Sequence, residues 1–108
     1  TVVRAQGVVA TERICAVVAA HHRAWWDAGL APLQPANIIV QPHNRGTSNG
    51  ILLPLLHILQ RDPAARIVVL PSDHYVQHEP ALRRALQRAL NAIEEDPLGI
   101  VLLGAAPE

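Results

Sequence analysis

The sequence predicts an α/β fold: a mainly parallel sheet with helices on both faces, in three layers. Three observations lead there. Four short runs rich in apolar and β-branched residues recur at 14–18, 37–41 (N-I-I-V-Q), 66–70 (R-I-V-V-L) and 99–103 (G-I-V-L-L). None alternates apolar with polar positions, which is how strands buried on both faces read. The segments between them are long enough for a helix and its two loops, and strands alternating with helices imply right-handed crossovers within one sheet.

Each element has its own signal. Residues 1–7 read as the tail of a helix closed by Gly7. The run at 14–18 contains Cys15, the sole cysteine, which reads as a small buried hydrophobe. Residues 22–29 predict a short helix ending at Gly29, and the tandem Trp25-Trp26 within it reads as cover for a core edge. The segment 48–61 is apolar nearly all round, which predicts a heavily buried helix. Pro54 inside it either kinks that helix or moves its regular part to begin near Ile51. The clearest helix is 80–95. Leu82, Leu86, Ala89, Leu90 and Ile93 form one stripe, while Arg83, Arg84, Gln87, Arg88, Asn91 and Glu94 face away. Pro80 suits the first turn, where its missing N–H does no harm. Asp62-Pro63 and Asp96-Pro97 mark two helix-to-strand turns. No linker, repeat or low-complexity stretch interrupts residues 1–108, so they form one domain or part of one.

Composition excludes several function classes. Half of the 108 residues are hydrophobic, enough for the core of one domain. Nine basic and nine acidic side chains balance, which argues against a coat for nucleic acid or an anionic membrane. Trp25, Trp26 and Tyr75 are the only aromatic residues, too few for a stacking platform for single strands. A single cysteine permits no intramolecular disulfide and no cysteine-based zinc site. Arg4, Gln6 and Glu12 interrupt the N-terminal apolar stretches, so no signal peptide is read there. No run of about 18 apolar residues spans a membrane. A cytoplasmic chain is the expectation. The absence of methionine leads to the expectation that the chain is a piece of a longer protein.

In open parallel sheets, ligands bind beyond the C-terminal strand ends. Two segments lie there: 41–50 (Q-P-H-N-R-G-T-S-N-G) after the second run, and 71–75 (P-S-D-H-Y) after the third. The first combines glycines, amides and hydroxyls with a helix start, where backbone N–H groups favour an anion or a polar ring edge. Gln41 and Asn44 carry both donors and acceptors, which suits a nucleobase edge, and Arg45 is a cation placed to meet a nucleotide. The same residues also read as a capped turn, with Thr47 or Ser48 as N-cap and Arg45 solvated. Neither glycine-rich phosphate-loop signature is present. Asp73 at a strand end suits Mg²⁺ held together with substrate phosphates, or else caps its own turn. His74 and His78 are four apart, but Pro71 and Tyr75-Val76 do not read as a helix, so the spacing does not make a zinc site. His21 and His22 read as surface or cap residues and His57 as a core or edge histidine. Spacing alone supports no Ser–His–Asp set.

Three segments together resemble a known family. Q-P-H-N-R-G-T-S-N-G-I from Gln41 to Ile51 is similar to the segment of mannose-1-phosphate guanylyltransferases that reads E/Q-P-x-x-R-N/G-T-A-P-A-I. V-L-P-S-D-H-Y-V from Val69 to Val76 resembles their P-S-D-H segment. L-L-G-A-A-P-E at the C-terminus is similar to their L-G-I-x-P-x-x-P-E. The resemblance covers nearly the whole chain, with matching spacing, and the paired motifs are characteristic of the sugar-phosphate nucleotidyltransferases.

The resemblance implies a Rossmann-like nucleotidyltransferase fold acting on GTP and mannose 1-phosphate to give GDP-mannose and pyrophosphate with Mg²⁺ as cofactor. By position, Gln41 and Gly46 approach the base, with Asn44, Arg45 and Thr47 nearby. Asp73 is the Mg²⁺ ligand, and Ser72 and His74 belong to the same signature. Asn49 and Gly50 depart from the usual Pro-Ala. The family's first strand and its G-G-x-G-T-R-L-x-P loop, which grips the triphosphate, have no counterpart here, nor has its E-K-P segment. The implied fold is therefore incomplete, lacking a strand between the runs at 14–18 and 66–70. Such a sheet exposes unpaired backbone, which favours self-association or partner capture. Two other readings stay open: a nucleotidyltransferase for another base or sugar, such as glucose 1-phosphate, and a non-catalytic regulatory module of the same fold. Without the phosphate-gripping loop, transition-state stabilisation is lost. The 108 residues alone are therefore expected to make no GDP-mannose from GTP and mannose 1-phosphate, and chromatographic detection of that product would contradict this.

Overall fold

In the computed structural model, residues 1–43, 45–96 and 99–104 are described. The chain opens with helix α1 (Val2–Gln6), followed by a 3-10 turn at Thr11–Arg13 and strand β1 (Ala16–Ala19). A second 3-10 turn, Ala20–His22, leads into the short helix α2 (Arg23–Trp26). A third, Pro35–Asn37, leads into strand β2 (Ile38–Gln41), and the long helices α3 (Thr47–Arg61) and α4 (Glu79–Glu95) follow. β1 and β2 pair in parallel, with Ala16 opposite Ile38 and Ala19 opposite Gln41. The result is a mixed α/β arrangement around a short two-stranded parallel sheet.

Both strands start later than the apolar runs suggest, for the same reason. The Ile14 N–H donates to the Thr11 carbonyl at 3.1 Å and the Asn37 N–H to the Gln34 carbonyl at 2.8 Å. These bonds close 3-10 turns, so the ladder begins only once the turns are complete. The runs at 66–70 and 99–103 correct the expectation of four strands: neither lies in a strand, and the sheet among the described residues has two. Strand-forming side chains favour an extended chain, but a strand is defined by its hydrogen-bonded neighbour. Pro97 of the second Asp-Pro pair and residues 105–108 of the C-terminal motif lie outside the described residues.

The described residues gather into two compact units, Thr1–Leu70 and Pro71–Glu108. In the first, Ile14, Leu30 and Leu33 are buried, and Val2, Ala5, Val9, Ala16, Val18, Trp26 and Ile38 pack on them. Trp26 donates its indole N–H to the Ala19 carbonyl at 3.0 Å, tying α2 to the end of β1, whereas Trp25 is 86% exposed. Only one tryptophan of the pair therefore covers the core. α2 is shorter than the expected 22–29 helix because its ladder dissolves into turns: Leu30 still bonds the Trp26 carbonyl, but Ala31 bonds Ala28 and Leu33 bonds Leu30. Cys15 is half-buried. Burial pushes its thiol above the ordinary range, and the charge of Arg61 opposes that rise.

α3 corrects a second expectation. It runs through Pro54, and none of its residues is buried; Leu52 and Leu56 stay 49% and 54% exposed. A sheet two strands wide offers little surface for an all-apolar helix to cover. In the second unit, α4 buries the predicted stripe, with Leu86 buried and Leu82, Ala89, Leu90 and Ile93 half-buried. Its arginines at 83, 84 and 88 are exposed, and Ala85 and Ala89 line a groove with Val101 and Leu103. No helix among the described residues is long and apolar enough to cross a membrane. Leu33 lies at the centre of the first unit's core, 4% exposed. Leu33→Ala should cost about 2–5 kcal/mol of stability, as core leucine truncations do; urea unfolding measures it, and a loss below about 1 kcal/mol would show that this core does not carry the unit.

Candidate functional site

The first candidate loop joins β2 to α3 in the first unit. Gln41 is the last residue of β2 and half-buried. A Cβ added at Gly50 would lie 3.7 Å from Gln41 Nε2, so the Gln41 amide sits over the first turn of α3. His43, Arg45, Gly46 and Thr47 are exposed, and Asn44 lies outside the described residues. The N-cap of α3 is Gly46, rather than Thr47 or Ser48, with φ 85° and ψ 174°. That combination is essentially reserved for glycine, because a Cβ would clash with the backbone. Glycine brings no side chain to cap the helix, so it leaves the first-turn N–H groups of α3 uncapped from that position.

Asn49 is the residue that sequence reasoning undervalued. Its Nδ2 donates to the Arg45 carbonyl at 3.0 Å, and the Gly50 N–H donates to the Gly46 carbonyl at 3.1 Å. The two bonds stitch the exposed end of the loop to the first turn of α3. The signal was an amide side chain one turn into a helix, long enough to reach back four residues.

The second candidate loop belongs to the second unit. Ser72 and Asp73 form an exposed bend, and His74 follows, also exposed. His78 caps α4: its Nδ1 accepts from the Ala81 N–H at 3.2 Å. His74 and His78 therefore do not share a helix face. Among the described residues no three His, Cys, Asp or Glu side chains cluster as a metal cage. An exposed lone carboxylate such as Asp73 instead fits a hard cation that takes one or two protein carboxylates and fills its other positions with water and phosphate oxygens, as Mg²⁺ does.

Residues 3–107 match the family described as nucleotidyl transferase. The chain belongs to that family. No curated protein and no solved structure matches it. For a nucleotidyl transferase the general reaction is transfer of a nucleotidyl group.

The two glycines of the first loop should respond oppositely to alanine. Gly46→Ala forces a side chain into a glycine-only conformation and should cost about 1–3 kcal/mol. Gly50→Ala meets Gln41 only at ordinary contact distance and should stabilise α3 by about 0.5–1 kcal/mol. Thermal melts of both variants measure the difference, and equal shifts would contradict the backbone assignment at Gly46.

Proposed function

We propose that the chain is part of the catalytic domain of a guanylyltransferase that joins GTP and mannose 1-phosphate into GDP-mannose, releasing pyrophosphate, in the cytoplasm. What supports the reading is the pair of motif-bearing loops, Gln41–Thr47 and Ser72–His74, within a nucleotidyl transferase chain. On this reading the two described strands belong to a larger three-layer, Rossmann-like parallel sheet. Its partners are the two small-molecule substrates, with no nucleic acid and no membrane surface.

The roles follow from the chemistry of each group. Gln41 presents an amide with donors and acceptors beside the α3 N-terminus, suited to the edge of a guanine ring. Gly46 keeps the backbone bare, so the base can approach closely. Asn44, Arg45 and Thr47 add an amide, a cation and a hydroxyl to the same loop, matched to an anionic nucleotide. Asp73 would hold Mg²⁺, with Ser72 and His74 shaping the bend that presents the carboxylate. When bound, the cation neutralises charge on the phosphates. In the reaction, a phosphate oxygen of the sugar phosphate forms a bond to the α-phosphorus of the nucleotide as the bond from that phosphorus to the pyrophosphate oxygen breaks. Held substrates convert this two-body encounter into an oriented, near-unimolecular step.

The complete reading frame containing this chain, assayed with each nucleoside triphosphate against mannose and glucose 1-phosphates, should show its highest kcat/KM for GTP with mannose 1-phosphate. Asp73→Asn should lower kcat by about a hundredfold or more, on the scale of losing one charge-stabilising group. Chelation of divalent cations should abolish turnover. Preference for another pair would overturn the specificity, and absence of any turnover would favour a non-catalytic module.

A further inference from the structure

Asn37 is the one fully buried polar side chain among the described residues, 0% exposed. It stands between the third 3-10 turn and β2. Its Nδ2 donates to the Glu12 carbonyl at 2.9 Å, in the turn that precedes β1. Its Oδ1 accepts from Arg61 Nη1 at 2.6 Å, and Arg61 is the last residue of α3. Arg61 Nη2 also reaches the Ala36 carbonyl at 3.4 Å, and His57 Nε2, one turn earlier on α3, donates to that carbonyl at 3.1 Å. The approaches to β1 and β2 and the end of α3 are thus tied at one point.

That point is the base of the βα unit whose other end is the 41–50 loop. β2 and α3 both start or finish at the loop, and both are held at Asn37 and Arg61. The ladder of α3 lacks one bond at mid-length, because Pro54 has no N–H for the Gly50 carbonyl. α3 is about 22 Å long at the usual rise, so a rotation of about 5° at its base would move the loop end by about 2 Å. Displacements of about 1 Å already disturb a binding or reacting geometry.

We propose that Asn37 and Arg61 are positioning residues: by closing the base of the βα unit they set the separation of Gln41 from the first turn of α3, and so the affinity of that loop for a purine nucleotide they never touch. The proposal rests on the nucleotide reading of the loop. Arg61→Ala leaves the buried Asn37 oxygen without its donor. Arg61→Lys keeps the charge but not the planar fork that spans Asn37 and the Ala36 carbonyl. Ile14→Val, a mild truncation of the first unit's core, serves as a control for lost stability as such.

The complete reading frame containing this chain is titrated with GTP and followed by backbone amide NMR, with amide hydrogen exchange measured for residues 47–50. Arg61→Ala should raise the Kd for GTP at least tenfold and exchange at 47–50 at least tenfold. Arg61→Lys should fall between it and the wild type, and remains the informative variant if the alanine form does not fold. Ile14→Val should change neither quantity beyond what its shift in urea midpoint explains. Arginine variants that behave like Ile14→Val would overturn the proposal. If the unaltered protein from the complete reading frame binds no GTP, the nucleotide reading of the loop fails. Exchange then decides the positioning role: a rise concentrated at 47–50 supports it, and one spread evenly through the first unit overturns it.

Discussion

A carboxamide with no exposure to water sets the terms for the first unit. Burying an amide without partners costs roughly 1–3 kcal/mol, so the fold must bring Asn37 a carbonyl and a donor. The Glu12 carbonyl and the Arg61 guanidinium meet that demand. Because Glu12 lies before β1 and Arg61 ends α3, satisfying one side chain ties the approaches to both strands to the end of a fifteen-residue helix. The parallel pairing of Ala16 with Ile38 starts one step beyond that knot. Cys15, next to Ile14 in the core and within reach of the Arg61 charge, marks how closely the apolar and polar parts of this corner interlock.

The β2–α3 loop lies at the opposite end of the βα unit. The β2–α3 loop is exposed, polar and rich in backbone N–H groups, which is where a rigid βα unit presents binding groups. Gly46 and Asn49 shape it by different means. One occupies a backbone conformation that other residues avoid, and the other bonds back to the Arg45 carbonyl. The Ser72–Asp73 bend offers a carboxylate to solvent in the second unit, ahead of a helix capped by an imidazole. Membership of the nucleotidyl transferases makes both polar loops the natural places to test for substrate contacts.

Much of this was legible in residue order, and the failures share a cause. α4 was readable because its apolar stripe and basic face repeat with the helical period, a local property. Runs 14–18 and 37–41 overlap β1 and β2, but each ladder starts late because a 3-10 turn closes ahead of it through hydrogen bonds not visible in composition. The runs at 66–70 and 99–103 share the apolar, β-branched-rich character of β1 and β2 yet form no ladder among the described residues. The 48–61 segment, apolar nearly all round, formed its helix but not its burial, since burial depends on what lies opposite. Asn37 read as one residue of a strand; nothing local distinguished it from a solvated asparagine.

The sequence by itself determined the helical periods, the alternation of β-rich and helical segments, the polar loops at 41–50 and 71–75, and the motifs that place the chain among nucleotidyl transferases. These depend on residues near one another in the chain, where spacing is the whole of the information. Tertiary structure decided which runs became paired strands, how far α3 and its leucines stay exposed, that Gly46 rather than a hydroxyl residue begins α3, and that Asn37 and Arg61 close the base of the βα unit across twenty-four residues of chain. Those outcomes turn on partners distant in sequence, and a hydrogen bond or a buried face exists only once both sides have been brought together.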